Sequence, residues 1–479
     1  MFKLKKYTGV GLLGICMAYG GCKVPALVQT GLNKPIPDFY QNAATDTTGI
    51  SGIQWKFFFT DPNLVNLIDT ALQNNQELLI TLQEIEMAKN DILFRQGPLQ
   101  PTVGARLGVG VEKVGRYTSQ GAGDATTEIK PGKQVPDALT NFTGAVYANW
   151  EVDIWKKLHT AKQAAITRYL ASREGKNFVL TNLVAEVANS YYELLALDNQ
   201  LDIVRQNIEL QKNALEIVKV QKEASRVTEL AVQKFKAEVL KSQSLEFAIL
   251  QNIKEAENKI NLLLARYPQP VPRNKSFFLA LIPKTISAGL PSQLLDNRPD
   301  IRQAELNLAA AKLDVKVARA EFYPSLGISA ALGLQAFKPS YLVKLPESIL
   351  YSLAGDLAGP LINRNAIKAE FANANARQLQ AMYNYQKSIL NAYLEVATQL
   401  SKIDNLSKSY DLKVQQVDAL NLSTNIANDL FRSARADYFE VLMTQRDALE
   451  ARLELVETKK DQLNTVVNNF SKLGGISFR

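Results

Sequence analysis

The sequence predicts an α+β membrane protein whose β-barrel is shared between copies of the chain and continued by long helical hairpins. Three observations predict it. An export signal opens the chain. The body repeats one plan twice: helix, strand, loop, strand, long helix, turn, long helix. Each repeat offers two alternating strands of about ten residues, four per chain, where roughly eight is the practical minimum for a closed barrel. Several copies must therefore contribute, and a trimer would give a 12-stranded barrel.

The export signal is "MFKLKKYTGVGLLGICMAYGGCKVP". Lys3, Lys5 and Lys6 form a basic start, an apolar run follows from Val10 to Tyr19, and Gly20-Gly21 precede Cys22. That is the order of a secretory signal peptide, and the run is too short to span a bilayer. The small pair before Cys22 resembles a bacterial lipobox, in which the chain is cut before a cysteine that then carries lipid. Tyr19 stands where Leu is usual, so ordinary signal cleavage beside an incidental cysteine is the alternative. Residues 1–21 are read as the signal and Cys22 as the lipidation site. No later stretch is an 18-residue apolar run, which argues against membrane-spanning helices and leaves a tethered soluble chain or a β-barrel.

Composition excludes several classes. The chain has 479 residues, 46% hydrophobic and 21% charged, with a formal charge of +8. Its Lys and Glu are interspersed along helical stretches, which reads as a solvated surface rather than a nucleic-acid face. One histidine, His159, and two cysteines in the first 22 residues allow neither a disulfide framework in the body nor a Cys/His metal site. No phosphate loop or catalytic set built on a histidine is present, so neither enzyme, cofactor nor metal is expected.

The repeat is visible in short matches. Ala88, Lys89, Asp91 and Pro101 recur 223 positions later as Ala311, Lys312, Asp314 and Pro324. "NSYYE" at 189–193 recurs as "NAYLE" at 391–395. The smaller second shift implies a longer strand connection in the first half, which fits the polar stretch 112–140, read as a long loop. Four prolines between 266 and 283 separate the halves.

The strands alternate. Val103, Ala105, Leu107, Val109 and Val111 share one face, and Gly104, Arg106, Gly108, Gly110 and Glu112 the other. Leu326, Ile328, Ala330, Leu332 and Leu334 make an uncharged face in the second half. A soluble half-buried sheet has the same alternation; the export signal and the repeat favour a membrane barrel. Trp150 and Trp155 close the return strand just before Lys156 and Lys157. That order suits a membrane–water interface, as do Phe322 and Tyr323 before Pro324.

The helices are long. From Trp155 to Lys222 there is no proline and the one glycine is Gly175, a run of roughly 100 Å at 1.5 Å per residue. Leu194, Leu197, Leu201, Val204, Ile208, Gln211, Leu215 and Val218 follow a 3,4 spacing; Leu442, Leu449, Val456, Leu463 and Phe470 recur every seven. This is coiled-coil periodicity. Stretches such as "KAEFANANARQLQA" (368–381), rich in small polar residues, suit a helix with two flanking contacts and one wet face. The turns "KEASRVTEL" and "RSARADYFEVL" lack Gly and Pro and must be tight exposed ends or partner contacts.

Residues 294–333, "LLDNRPDIRQAELNLAAAKLDVKVARAEFYPSLGISAALG", together with "NWEVDIW" and "RADYFEVLMTQRDALEARLELV", closely resemble the TolC-like outer membrane efflux channels, above all their lipoprotein branch serving drug pumps. The resemblance covers nearly the whole mature chain. It implies a homotrimer, four strands per chain in one outer-membrane barrel, and an α-barrel through the periplasm. A periplasmic adaptor and an inner-membrane pump of RND type dock below. It also assigns segments. Residues 22–60 become a lipid-anchored extension. Residues 61–100, 152–265, 298–322 and 362–470 become periplasmic helices. Residues 101–151 and 323–361 become barrel strands with their external loops, and 266–297 and 471–479 become equatorial segments.

By position in that family, Phe439 and Met443 form the periplasmic gate. Met443 stands where relatives often carry an acid, with Glu440 nearby. Ser225, Arg226 and Val227 at the first tip and Arg435, Ala436, Asp437 and Tyr438 at the second are expected to meet the adaptor, and Arg435, Asp437 and Tyr438 to help hold the gate shut. The alternative is that these residues merely pack a coiled-coil tip. Lys156 replaces a glycine common in the family. The expected function is passive export of small molecules, drugs and toxic compounds. A protein-secretion duct and a non-channel periplasmic scaffold are the alternatives.

Overall fold

The structure is a computed structural model that describes residues 37, 40, 55–275, 278–281, 289–359, 362, 364–433 and 435–474. Residues 1–21, read as a signal peptide, and Cys22 lie outside the described residues. Elements follow in chain order: α1 (Trp55–Phe58), α2 (Pro62–Asn74), α3 (Gln76–Gln96), β1 (Thr102–Glu112), α4 (Ser119–Thr126), β2 (Glu128–Lys130), β3 (Lys133–Gln134), β4 (Leu139–Val152), α5 (Lys157–Glu223) and α6 (Glu229–Leu263). The second half gives α7 (Gln293–Asn297), α8 (Pro299–Ala320), β5 (Ser325–Ala336), α9 (Pro339–Leu342), β6 (Ile349–Ala358), α10 (Asn365–Arg432) and α11 (Tyr438–Lys472). The tandem plan is thus present element by element. α3 and α8 have 21 and 22 residues, α5 and α10 have 67 and 68, and α6 and α11 have 35 each. Among the described residues no helix is long and apolar enough to cross a membrane.

The chain divides into two compact units. Among the described residues, the first takes Glu86–Leu170 and Leu306–Tyr383 and the second takes the rest. The first unit is built on an antiparallel sheet in the order β1-β4-β5-β6. Register places Val103 opposite Ala148, Ala148 opposite Ala330 and Ala330 opposite Leu353. Paired residues share a face, so the period-2 pattern of each strand adds up to one apolar face across all four. That face is bare: Leu107 is 91% exposed, and Val103, Val109, Tyr351 and Leu353 are exposed with it. The opposite face carries mainly Gly, Ala, Ser, Thr and Asn. Gly104 leaves room there for the Tyr147 ring, whose far end lies 2.6 Å from where a Cβ would stand.

Stretch 112–140, expected as a loop, is partly ordered. Thr118 caps α4 by accepting the Gly121 N–H at 3.1 Å, and the Glu128 carboxylate accepts the Gly132 N–H at 3.0 Å beside the β2–β3 turn. These are local polar bonds with no apolar period behind them, so hydrophobic patterning does not reveal them.

The second unit holds the large core. Tyr191, Leu194, Leu195, Val204, Ile260 and Phe470 are almost fully buried there. The 3,4 spacing of α5 is its buried seam: Leu194, Leu201, Val204, Ile208, Gln211, Leu215 and Val218 are buried and Leu197 partly so. Two equivalent joints close the hairpins. Asn75, ahead of α3, donates from Nδ2 to the carbonyl of Leu263, the last residue of α6, at 2.9 Å. Arg298, ahead of α8, donates from Nη1 to the carbonyl of Lys472, the last residue of α11, at 3.2 Å. Two residues beyond each joint the backbone turns left-handed, at Ala265 (φ 52°) and Gly474 (φ 73°). Glycine is needed at 474, since a Cβ would lie 2.5 Å from the Asn297 carbonyl oxygen.

Candidate functional site at the hairpin tips and the seams

The α5–α6 and α10–α11 turns are built alike. At the first, Ser225 adopts φ 56°, its N–H donates to the Lys222 carbonyl at 2.8 Å, and the Arg226 N–H reaches back to the Gln221 carbonyl at 2.9 Å. This is the Schellman closure of a helix end, made with serine where glycine is usual. At the second, the Arg435 N–H reaches back to the Leu430 carbonyl at 2.8 Å. Thr228 and Asp437 then take the extended cap position that starts α6 and α11. Helix-end chemistry thus supplies the tightness that neither Gly nor Pro provides.

The tips share one core. Leu215, Val218, Phe235, Val239, Phe431 and Val441 are buried together, with Val227, Ala436, Tyr438 and Leu442 packed against them. So Val227, Ala436 and Tyr438, expected as contact residues, spend part of their surface on packing. Arg226, Arg435 and Asp437 are exposed. Phe439 is 49% exposed, Glu440 is exposed and Met443 is half-buried. The Phe439 ring carries the Lys234 ammonium 5.4 Å from its centroid, a cation–π contact from the neighbouring hairpin. Sequence reasoning missed Lys234, because no local pattern links it to a ring so distant in the chain.

Where helix meets strand, each tryptophan holds a different seam. Trp150 Nε1 donates to the Leu99 carbonyl at 3.2 Å, beside the 3₁₀ turn Gly97–Leu99 that ends α3. Trp155 Nε1 donates to the Pro324 carbonyl at 2.7 Å and its ring stacks on Tyr323, centroids 4.8 Å apart. Phe322 was expected beside Tyr323 at the membrane interface. It instead turns inward, 3% exposed, edge-on to Phe371 and packed among Val315, Ala318 and Ala374. Both residues lie in the turn that ends α8, where the Phe322 and Tyr323 N–H groups reach back to the Arg319 and Ala320 carbonyls at 3.3 and 3.1 Å, and the pair divides between the core and the seam. Lys156 has φ 57°, which explains why glycine suits this position. Asp153 caps α5: Oδ1 accepts the Leu158 N–H at 2.9 Å and Oδ2 the His159 N–H at 2.8 Å. Among the described residues no cluster of His, Cys, Asp and Glu is arranged to hold a metal ion.

At the joint, Arg298 is 3% exposed. Its guanidinium grips Asp300 through Nε at 3.0 Å and Nη2 at 2.6 Å, and reaches Glu395 at 3.0 Å. Burial alone would lower its pKa, but the two carboxylates outweigh that and raise it. Lys472 adds a bond to Glu395 at 3.2 Å.

An exposed apolar strand face, paired long hairpins and a duplicated plan define the class of tandem-repeat β-strand and helical-hairpin channel proteins. Within that class, the chain belongs to the outer membrane efflux protein family, whose profile matches residues 67–266 and 290–475. It is 30% identical over 469 residues to the pyoverdine export outer membrane protein OpmQ of Pseudomonas aeruginosa, covering 97% of this chain and 96% of that one. It is 27% identical over 487 residues to the probable outer membrane lipoprotein SilC of Salmonella typhimurium, with 99% of both chains covered. Its fold is that of the CmeC outer membrane channel of Campylobacter jejuni, with a TM-score of 0.83 at 20% identity over 95% of each chain.

Proposed function

We propose that three copies of this chain form the outer-membrane exit duct of a tripartite efflux system, conducting small molecules passively outward. One observation carries the reading: the sheet has two open edges, β1 and β6, and an exposed apolar face. Open edges of ten or more residues invite pairing, and an apolar face needs a non-aqueous neighbour. Three sheets joined edge to edge, β6 of one copy to β1 of the next, make a 12-stranded barrel that meets both needs.

On this reading the helices line the periplasmic section. An adaptor meets the tips at Ser225, Arg226, Arg435 and Asp437, beside Val227, Ala436 and Tyr438. An inner-membrane pump of RND type drives the substrate. Phe439, with Glu440 and Met443, narrows the mouth. Trp150, Trp155 and Tyr323 sit at the lipid boundary, and Cys22 carries the lipid, a reading the lipoprotein relative supports.

The test is fractionation of membranes from cells expressing the full chain, with crosslinking and planar-bilayer recording of the purified protein. A crosslinked trimer in the outer-membrane fraction with single-channel steps is expected. Recovery in the soluble or inner-membrane fraction would overturn the proposal. Labelling with a radioactive fatty acid, with Cys22→Ala as control, reads the anchor.

A further inference from the structure

The charged residues of the sheet fall on one side. Within β1, β4, β5 and β6 they are Arg106, Glu112, Glu151 and Asp356. Arg106 pairs with Ala145 and Ala145 with Gly333; Glu151 and Asp356 both pair with Gly327. Glu112 is three alternations along β1 from Arg106. Register therefore puts all four on the face opposite Val103 and Leu107. Arg106 is the one cation among them.

Its neighbours on the sheet are uncharged. Along β1 its neighbours on that face are Gly104 and Gly108, and across the sheet at its level stand Ala145, Gly333 and Leu350. The side chain lies over Gly108: a Cβ there would be 3.9 Å from Arg106 Nε. The residue is exposed and has no ion pair among the described residues. Glu151, by contrast, is bound by Lys157 at 2.6 Å.

The acids stand far off. Glu112 is six residues along the same strand, and the Glu151 and Asp356 level is six residues the other way. At roughly 3.3 Å per residue each level is about 20 Å distant. The Debye length is about 8 Å at physiological ionic strength, so the acids do not cancel the guanidinium field locally.

We propose that Arg106 sets the charge selectivity of the barrel lumen. Three copies form a ring of guanidinium groups that contacts carboxylate, sulfonate or phosphate groups of passing solutes. Rings of like charge tune permeation in this way, and the fork of donors matches such oxyanions. The proposal rests on the trimeric barrel reading above.

The experiment keeps the two apart. Full-length protein and the variants Arg106→Gln, Arg106→Glu and Arg106→Lys are reconstituted in planar bilayers, each also in a Phe439→Ala background so that the mouth does not mask the barrel. The reversal potential is read across a KCl gradient at low ionic strength, where screening is weak. Arg106→Gln should lower the chloride-to-potassium permeability ratio by roughly twofold or more, Arg106→Glu should lower it further, and Arg106→Lys should preserve it. Channels that conduct with an unchanged ratio in the Gln and Glu variants would overturn the role of Arg106 alone. Absence of conductance in every protein, the parent included, would overturn the barrel reading and this proposal with it.

Discussion

The indole of Trp155 holds the carbonyl of Pro324 at 2.7 Å across 169 positions of sequence. The bond ties the first residues after β4 to the proline that introduces β5, and the Tyr323 ring stacked on the same indole seals it. Pro324 forbids the helix to continue, and Trp155 fixes where the strand begins.

Replacing Trp155 separates those two contributions. Trp155→Phe keeps a stacking ring and loses one hydrogen bond, for an expected loss of about 1 kcal/mol. Trp155→Ala loses both; the indole is 47% exposed, so the lost stacking adds about 1 kcal/mol rather than the cost of a core truncation. The midpoint of heat-modified gel mobility in detergent checks this, and equal midpoints for the two variants would contradict it.

Lys156 is the simplest stabilising target. Its φ of 57° is costly for any residue with a Cβ. Lys156→Gly should raise stability by about 1 kcal/mol, read as a higher unfolding midpoint in denaturant. An unchanged midpoint would show that the strain is relieved elsewhere.

Arg298 is a buried cation whose carboxylate partners, Asp300 and Glu395, are part-exposed. Arg298→Met leaves Asp300 and the Lys472 carbonyl without their Arg298 donors while Glu395 keeps only Lys472, and because both carboxylates are part-exposed the expected loss is about 2 kcal/mol, below that of breaking a fully buried pair. Arg298→Lys should recover less than half, because a point charge cannot bind Asp300 through two nitrogens while reaching Glu395. Chemical unfolding curves of the three proteins decide it, and full recovery by lysine would refute the geometric argument.

The proposed gate at Phe439 has an electrical readout. Phe439→Ala removes an exposed ring and the cation–π contact with Lys234, and should raise single-channel conductance. Lys234→Gln should raise it less, through a looser ring. Unchanged conductance in both would leave these residues as tip packing only.

Acid should weaken the core through Glu257. Burial pushes its carboxyl up, but hydrogen bonds from Arg273 at 2.7 Å and Lys254 at 3.1 Å outweigh that and hold it below its ordinary value. A carboxyl whose pKa is lowered on folding contributes stability above its unfolded value, near 4.5, and that contribution is lost as pH falls through the folded value. Thermal melts at neutral pH and at about pH 3 should therefore differ more for the parent than for Glu257→Gln. Equal pH dependence would remove Glu257 from the account.

The element plan was legible because periodicity and chain breaks are local. The 3,4 run from Leu194 to Val218 needs one helix to bury one stripe, and the alternation from Val103 to Val111 needs one strand to sort two faces. The duplicated plan followed from the recurrence of Ala88, Lys89, Asp91 and Pro101, and the tips from the absence of Gly and Pro between two long helices. The divided fates of Phe322 and Tyr323 were not legible, because both are aromatic and only the position of Phe371 decides which turns inward. Lys234 over Phe439, and Asn75 and Arg298 at matching hairpin ends, were hidden for the same reason.

By itself, then, the sequence determined which long segments are helix and strand outside 112–140, which strand face is apolar, and that two copies of one plan lie in tandem. These follow from short-range steric and solvation preferences that every window of the chain carries. The tertiary structure alone decided the register that gathers all four strand charges on one face. It also decided that Trp150 and Trp155 hold separate seams, and that Arg298 is buried in a carboxylate grip. Each of these joins residues brought together by the fold rather than by neighbouring positions. The free energy of such a contact resides in distance and desolvation, which no local period encodes.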